Sequence, residues 1–352
     1  MAPRVSVVMS VYNGEKYLGE AIESILNQTF SDFEFIIIDD GSLDTSRAIL
    51  RDYALQDARI QIIENRENQG LSVSLNKGIR AARGEYIARM DADDISLPSR
   101  LEEQVAFMDA NPDIGICGTW MIIFGERQGQ IEEFPLQHTQ IHVRLLFGNA
   151  LAHPTVFMRK SSLQKHFLLY NEHIRYAQDY ELWSRSIAFL RFANIDQVLL
   201  LYRIHPSTIG ANYHVQQKEI HLEVYKKLFN LFNLKPTLEE LLLHEQISAH
   251  RFESGIGFLR RARGWLEKVS RANREFQVIP SNQMDDELGF YWTAICNHSQ
   301  SNPADIILEI ILSSLPFAGQ TNFHKLHPIV SFMYQKAKIM IESLLSYGSR
   351  KF

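Results

Sequence analysis

The chain has 352 residues, 45% of them hydrophobic, 22% charged and 11% aromatic. That balance excludes a disordered or fibrous chain and, at about 150 residues per domain, leads to an expectation of two domains. With 36 basic against 41 acidic residues the formal charge is −5, which excludes the basic footprint of a nucleic-acid binder.

Val5–Tyr12 is apolar and β-branched and reads as a strand, broken by Asn13-Gly14. Glu15–Asn27 carries helical spacing through Leu18, Ile22, Ile25 and Leu26. Phe33–Ile38 reads as a buried strand running into Asp39-Asp40-Gly41-Ser42, and Thr45–Leu55 as a helix. Arg59–Glu64 is a strand, Leu71–Arg83 a helix, and Tyr86–Met90 a strand ending at Asp91. This alternation predicts an α/β fold with a parallel sheet covered by helices, whose ligands sit at the carboxyl ends of the strands. Further on, Ser99–Ala110 reads as a helix and Ile114–Phe124 as a strand, with a helix near Asp179–Phe189 and a strand near Val198–Ile204. Beyond Ile209 the pattern is almost wholly helical, with apolar stripes in 217–233, 238–266, 285–296, 303–314 and 326–346. The predicted domains are therefore a catalytic α/β half over 1–215 and a helical half over 216–352.

Cys117 and Cys296 form neither a metal pattern nor a disulfide framework, so a cytoplasmic setting is expected. The opening MAPRVSVVMSVY has no signal-peptide pattern, and the apolar run 306–318 is broken by Glu309 and too short to span a bilayer.

Every polar cluster of interest falls at a predicted strand end: Ser10, Tyr12 and Asn13, then Asp39-Asp40, then Asn68 and Gly70, then Asp91 to Asp94. Three carboxylates in Asp91-Ala92-Asp93-Asp94 repel one another unless a cation sits among them. Hard oxygen ligands suit Mg2+ or Mn2+. In an extended D-x-D the alternate side chains face the same way, so Asp91 and Asp93 can share a ligand. The same turn could instead cap the helix after Pro98. Asp39-Asp40-Gly41-Ser42 can accept from a base N–H or a sugar hydroxyl, with Ser42 or Asp44 capping the next helix.

Together these motifs resemble the GT-A family 2 glycosyltransferases over roughly residues 4–210. The resemblance rests on VSVVMSVYNG at the start, DDGS at 39–42, N-x-G at 68–70 and GEYIARMDADD at 84–94. It continues through HPTV at 153–156, QDYELW at 178–183 and Y-R-x-H at 202–205. The family's Ser six residues after that Tyr is Thr208 here, with Ser207 one earlier.

The resemblance implies roles by position. Tyr12 and Asp40 contact the nucleoside, with Asp40 reading the uracil N–H. Ser10, Asp39, Asn68, Arg89 and Ala92 complete the donor site. Asp91 lies near the ribose and metal, and Asp93 ligates the Mn2+ or Mg2+ on the diphosphate. Asp179 matches the general base, beside Gln178 where the family usually has Glu. His205 completes the metal shell, an imidazole that suits Mn2+ more than Mg2+; its plainer role is a loop His bonded to backbone. His153 and Trp183 line the acceptor site, although a helix Trp is more often core. Tyr176, Glu181 and Arg203 are further site neighbours.

The implied activity is the metal-dependent transfer of one sugar from a UDP-sugar to a hydroxyl of a glycan or lipid-linked glycan, in surface polysaccharide synthesis. One base and no recognisable carboxylate nucleophile fit inversion. Processive synthases of this fold carry Q-x-x-R-W and membrane spans, which favours single transfers here. A dTDP-sugar donor and a nucleotide-sugar-binding scaffold without turnover stay open. A dehydrogenase is excluded, because Tyr12-Asn13-Gly14-Glu15 stands where G-x-G-x-x-G belongs. A receiver domain would not explain Asp91 to Asp94. The basic tail, Gln335 to Lys338 with Arg350 and Lys351, could rest on the inner face of a plasma membrane or be a solvated helix face. Association of copies of the chain into a homo-oligomer is left open.

Overall fold

The computed structural model describes residues 2–126, 129–206, 214–299, 301 and 303–313. In chain order it runs β1 (Val5–Val11), α1 (Leu18–Leu26), β2 (Phe33–Asp39), α2 (Ser46–Gln56), β3 (Ile60–Glu64), α3 (Leu71–Ala81), β4 (Tyr86–Asp91) and β5 (Ile95–Ser96). It continues with α4 (Arg100–Ala110), β6 (Ile114–Gly125), β7 (Gln130–Glu132), α5 (His138–Leu145), a 3-10 turn (His153–Thr155), β8 (Phe157–Arg159), α6 (Lys160–Lys165), α7 (Gln178–Ser186) and β9 (Arg191–Ile204). Then come α8 (His214–Asn230), α9 (Leu238–Ser248), α10 (Ile256–Phe276), α11 (Ser281–His298) and α12 (Pro303–Leu312).

The strands form one sheet in the order β3-β2-β1-β4-β8-β6-β9-β5, with β7 on β6. β3, β2, β1 and β4 are parallel, and β8 enters antiparallel between β4 and β6. This is the mostly parallel α/β arrangement with a helical C-terminal region that the sequence predicted. β1 and β2 are apolar almost throughout because helices cover both faces of a parallel sheet. α1 turns Leu18, Ala21, Ile22 and Ile25 inward, where they join the main core. The register matters for function: Val11 pairs with Asp39, and Ser10 pairs with Asp91. Neighbouring strands lie about 4.8 Å apart, so three chain segments deliver their polar ends to one rim.

Several elements differ from expectation. α5 has no counterpart among the predicted elements; a capping box between Gln137 and Gln140 starts a helix there. β5, β7 and α6 have two, three and six residues, too few to show a period. β9 begins at Arg191, earlier than the predicted 198, and its pairing with β6 shifts register between Thr119 and Met121. The single stripe expected over 238–266 is two helices, because His250 and Gly255 take positive φ.

The chain divides into two compact units, Met1–Val224 and Tyr225–Phe352. In the second, the Trp265 indole N–H donates to His244 Nδ1 at 3.0 Å, and Tyr225 and Phe229 meet His244 edge-on. Glu309, buried there, takes ion pairs from Arg260 and Arg263. No helix among the described residues is long and apolar enough to cross a membrane. The basic tail, Gln335 to Lys338 with Arg350 and Lys351, lies outside the described residues, as do Ser207 and Thr208.

Candidate active site

The first wall of the rim is a pair of interlocked turns. Asn13, at φ 52°, accepts the Leu43 amide at 2.8 Å, and its own amide donates to Ser42 Oγ at 3.1 Å. Gly14 and Glu15 donate to Ser46 Oγ and Asp44. Tyr12 precedes this junction with 47% of its surface exposed, an aromatic face open for stacking.

Asp39 and Asp40 do different work. Asp39, expected at the donor, is 0% exposed: one oxygen takes the Ser42 amide at 3.0 Å and the other takes Arg47 Nε at 2.9 Å. Both oxygens of Asp39 thus hold the turn after β2. Asp40 Oδ1 accepts from Asn65 Nδ2 at 2.7 Å and the Gln69 amide at 2.9 Å, and Oδ2 accepts from the Gly70 amide at 2.9 Å. A carboxylate has about four acceptor sites, which leaves Oδ2 capacity for one more donor. Asn68, expected at the donor site, is exposed in this loop, and the buried side-chain amide on Asp40 belongs to Asn65. Lys77 Nζ fixes Asn65 and Gln69 from behind at 2.6 and 2.7 Å. Gly41, at φ 74°, lets this turn lie on residue 67, where a Cβ would come within 2.6 Å of the Glu67 carbonyl carbon.

Beyond β4, carboxylate oxygens of Asp91, Asp93 and Asp94 all lie within 4.8 Å of one another. Asp94 is 1% exposed; its Oδ1 accepts the Arg203 amide at 2.8 Å, and its Oδ2 is buried without a hydrogen-bond partner among the described residues. Burial, then the neighbouring Asp91 and Asp93, push the Asp94 carboxyl well up from its ordinary range. Burial also pushes Asp91 up, to about 6, against the pull of Arg89. His205 Nε2 lies 2.9 Å from Asp93 Oδ2. The orphaned Asp94 oxygen, the crowded carboxylates and the adjacent imidazole fit a hard divalent cation, which would satisfy all of them together. Arg203 braces the cluster: Nε donates to the Asp93 carbonyl at 2.7 Å, and the guanidinium lies between the Tyr17 and Phe124 rings at 4.3 and 4.4 Å.

Two buried arginines meet at β4, Arg89 within the strand and Arg100 at the start of α4. Arg89, expected among the donor-binding residues, is 3% exposed and paired with Asp91. Its charge supports the cluster from within the protein. Arg100 is wholly enclosed, donates to the Arg89 carbonyl at 2.6 Å, and burial beside Arg89 brings its guanidinium down to about 9.

Asp179 occupies the first turn of α7. Burial raises its carboxyl above the ordinary value, against hydrogen bonds from the Tyr180 and Asp179 amides and from Asn149 Nδ2, the last at 2.5 Å. Asp179 in turn raises Asp91, so Asp179 and the cluster share one electrostatic field. Glu181 is buried and bonded to Arg185. His153 Nε2 is 2.8 Å from the Tyr170 hydroxyl, and burial with Arg89 keeps its imidazole well below the usual value and uncharged at neutral pH. Trp183, expected to stack on an acceptor sugar, is 0% exposed and packs edge-on against Phe192 and Tyr170. It is core, because the inward face of α7 meets the sheet there. Ser10 and Ala92 lie partly exposed on the rim. Sequence reasoning missed Asn65, Arg100 and Asn149. An arginine inside an apolar helix stripe was the one available signal, at Arg100.

The family model for glycosyl transferase family 2 matches residues 6–167. An uncharacterized glycosyltransferase of Haemophilus influenzae is 37% identical over 227 residues, covering 62% of this chain and 70% of the relative. The O-antigen biosynthesis glycosyltransferase WbnJ of Escherichia coli is 37% identical over 210 residues, 57% of this chain and 80% of the relative. Among solved structures, S. aureus TarS 1–349 in complex with UDP-GlcNAc matches with a TM-score of 0.59 at 18% identity, over 83% of this chain and 90% of that one. That likeness shows the shared GT-A fold.

Proposed function

The chain belongs to glycosyl transferase family 2, and on that premise we propose that it moves one sugar from a UDP-sugar to a hydroxyl of a glycan or lipid-linked glycan, with inversion. The observation that carries this reading is one base-like carboxylate, Asp179, in electrostatic reach of the three-carboxylate cluster. UDP is supported by the remaining acceptor capacity of Asp40 beside an exposed Tyr12, and by the UDP-GlcNAc bound to TarS. A surface-glycan acceptor is supported by the O-antigen role in the name of WbnJ.

Asp93, with Asp91, Asp94 and His205, would hold Mn2+ or Mg2+, which neutralises the charge developing on the departing diphosphate. Tyr12 stacks on the base and Asp40 Oδ2 takes its N–H. Asp179 accepts the proton of the attacking hydroxyl; its raised proton affinity suits that task, because a base works best near the working pH. Inversion is supported by Glu181, the other carboxylate of α7, being buried and paired with Arg185.

The test is release of UDP from a panel of UDP- and dTDP-sugars with Mn2+, alongside the thermal shift each nucleotide produces. Asp179→Asn should lower turnover by about 100-fold to 10,000-fold and keep the UDP-induced shift. Asp93→Asn should remove the part of the shift that depends on Mn2+. A wild-type chain that binds UDP and never releases it from any donor is a scaffold, and the transferase reading falls. Preference for dTDP donors would correct the nucleotide alone.

A further inference from the structure

Asn149 lies in the loop after α5, exposed, with both ends of its amide engaged. Nδ2 donates to Asp179 Oδ2 at 2.5 Å, and Oδ1 accepts the Ala150 amide at 3.1 Å. The second bond fixes which way the amide points, so the donor end must face Asp179. The start of α7 needs such a tie. Its N-cap is Ala177, at φ 54° and without a side-chain cap. A non-glycine residue in that conformation costs on the order of 1 kcal/mol and persists only where its surroundings hold it. Two contacts supply the hold: the Tyr180 hydroxyl donates to the Leu145 carbonyl, at the end of α5, at 2.5 Å, and Asn149 reaches Asp179.

We propose that Asn149 is the positioning residue of the transferase base: its amide fixes the orientation of the Asp179 carboxylate toward the acceptor hydroxyl. This rests on the base assignment made above. The amide cannot take the proton itself, since its nitrogen only donates and its carbonyl is engaged by Ala150. Its effect is geometric: a base displaced by about 1 Å costs up to about 100-fold in rate. Donor binding uses Tyr12, Asp40 and the acidic cluster, none of which Asn149 touches.

The experiment follows UDP release to water from the fastest UDP-sugar of the panel, with Mn2+, in wild type, Asn149→Ala, Asn149→Asp and Asp179→Asn. Asn149→Ala should lower kcat by about tenfold to about 100-fold, with the donor KM and the UDP-induced thermal shift within about twofold of wild type. Asn149→Asp, the same shape without the donor and with a like charge, should fall further than the Ala variant. The side chain is exposed, so neither change disturbs the core. An unchanged kcat in both variants overturns the proposal and leaves the base in place. Loss of kcat, KM and melting temperature together makes Asn149 a structural tie only and also overturns it. Full turnover by Asp179→Asn removes the base assignment, and the proposal with it.

Discussion

Glu34, in the middle of β2, shows how a buried charge is held in this fold. It accepts from Ser6 Oγ at 2.6 Å, the Arg83 amide at 2.7 Å, Arg83 Nε at 2.8 Å and Gln61 Nε2 at 2.9 Å. Burial alone would raise its carboxyl, but the four donors outweigh it and hold the group below its ordinary value. A depressed folded value means that the charged form stabilises the fold above the unfolded value, about 4.3, and that this contribution is lost as pH falls through the folded value. Glu34→Gln should therefore cost about 2 kcal/mol at pH 7 by urea unfolding, because it turns an acceptor into a donor facing donors. The gap to wild type should shrink below about pH 4. A gap that stays constant from pH 7 to pH 3 would refute this account. Asp39 and Asp40, which the sequence presents alike, differ in their partners: Asp39 takes the Ser42 amide and Arg47, and Asp40 takes Asn65 and the Gln69 and Gly70 amides.

α3 lies on β1 with Gly78 at the contact. A Cβ there would run into Val8 Cγ1 and come within 2.8 Å of Ile38 Cδ1. Ala is the better helix former by about 1 kcal/mol, yet overpacking costs about 1–3 kcal/mol. Gly78→Ala should thus destabilise the fold by about 1 kcal/mol net, measured by urea unfolding. Val8→Ala in the same chain should recover part of that loss, since neighbouring sites couple. Additive losses in the double variant would show that α3 is not held by this contact. The long elements β1, β2, α1 and α4 were legible in the sequence because each runs through whole periods of its own pattern. α5 was not, since its eight residues span only about two turns, and Ile141, Val143 and Leu145 alternate instead of following the helical period.

The two cysteines sit in different units, Cys117 in β6 and Cys296 in α11, both buried. Burial pushes the Cys117 thiol up to about 12 and raises that of Cys296 as well. Thiolate is the reactive form, so the native chain should react with neither thiol over the time in which an unfolded sample reacts at both. Labelling followed site by site through a urea series then reports the opening of each unit separately. Rapid labelling of native Cys117 would mean that the β6 region opens on that timescale.

The sequence by itself determined the α/β class, the order of strands and helices, and the placing of Tyr12, Asp40, Asp91 to Asp94 and Asp179 at element ends. Those features are local: they follow from periods of two and 3.6 and from motifs within about ten residues. Only the tertiary structure decided how those side chains are packed and partnered. Asp39 and Trp183 are enclosed by packing that no local pattern encodes, and no local pattern encodes the contact of Asn65 with Asp40 either. The supporting contacts join distant segments, Asn149 to Asp179 across 30 positions and Arg203 to Asp93 across 110. A sequence shows that an asparagine exists; the chain must fold before its amide has a carboxylate to hold.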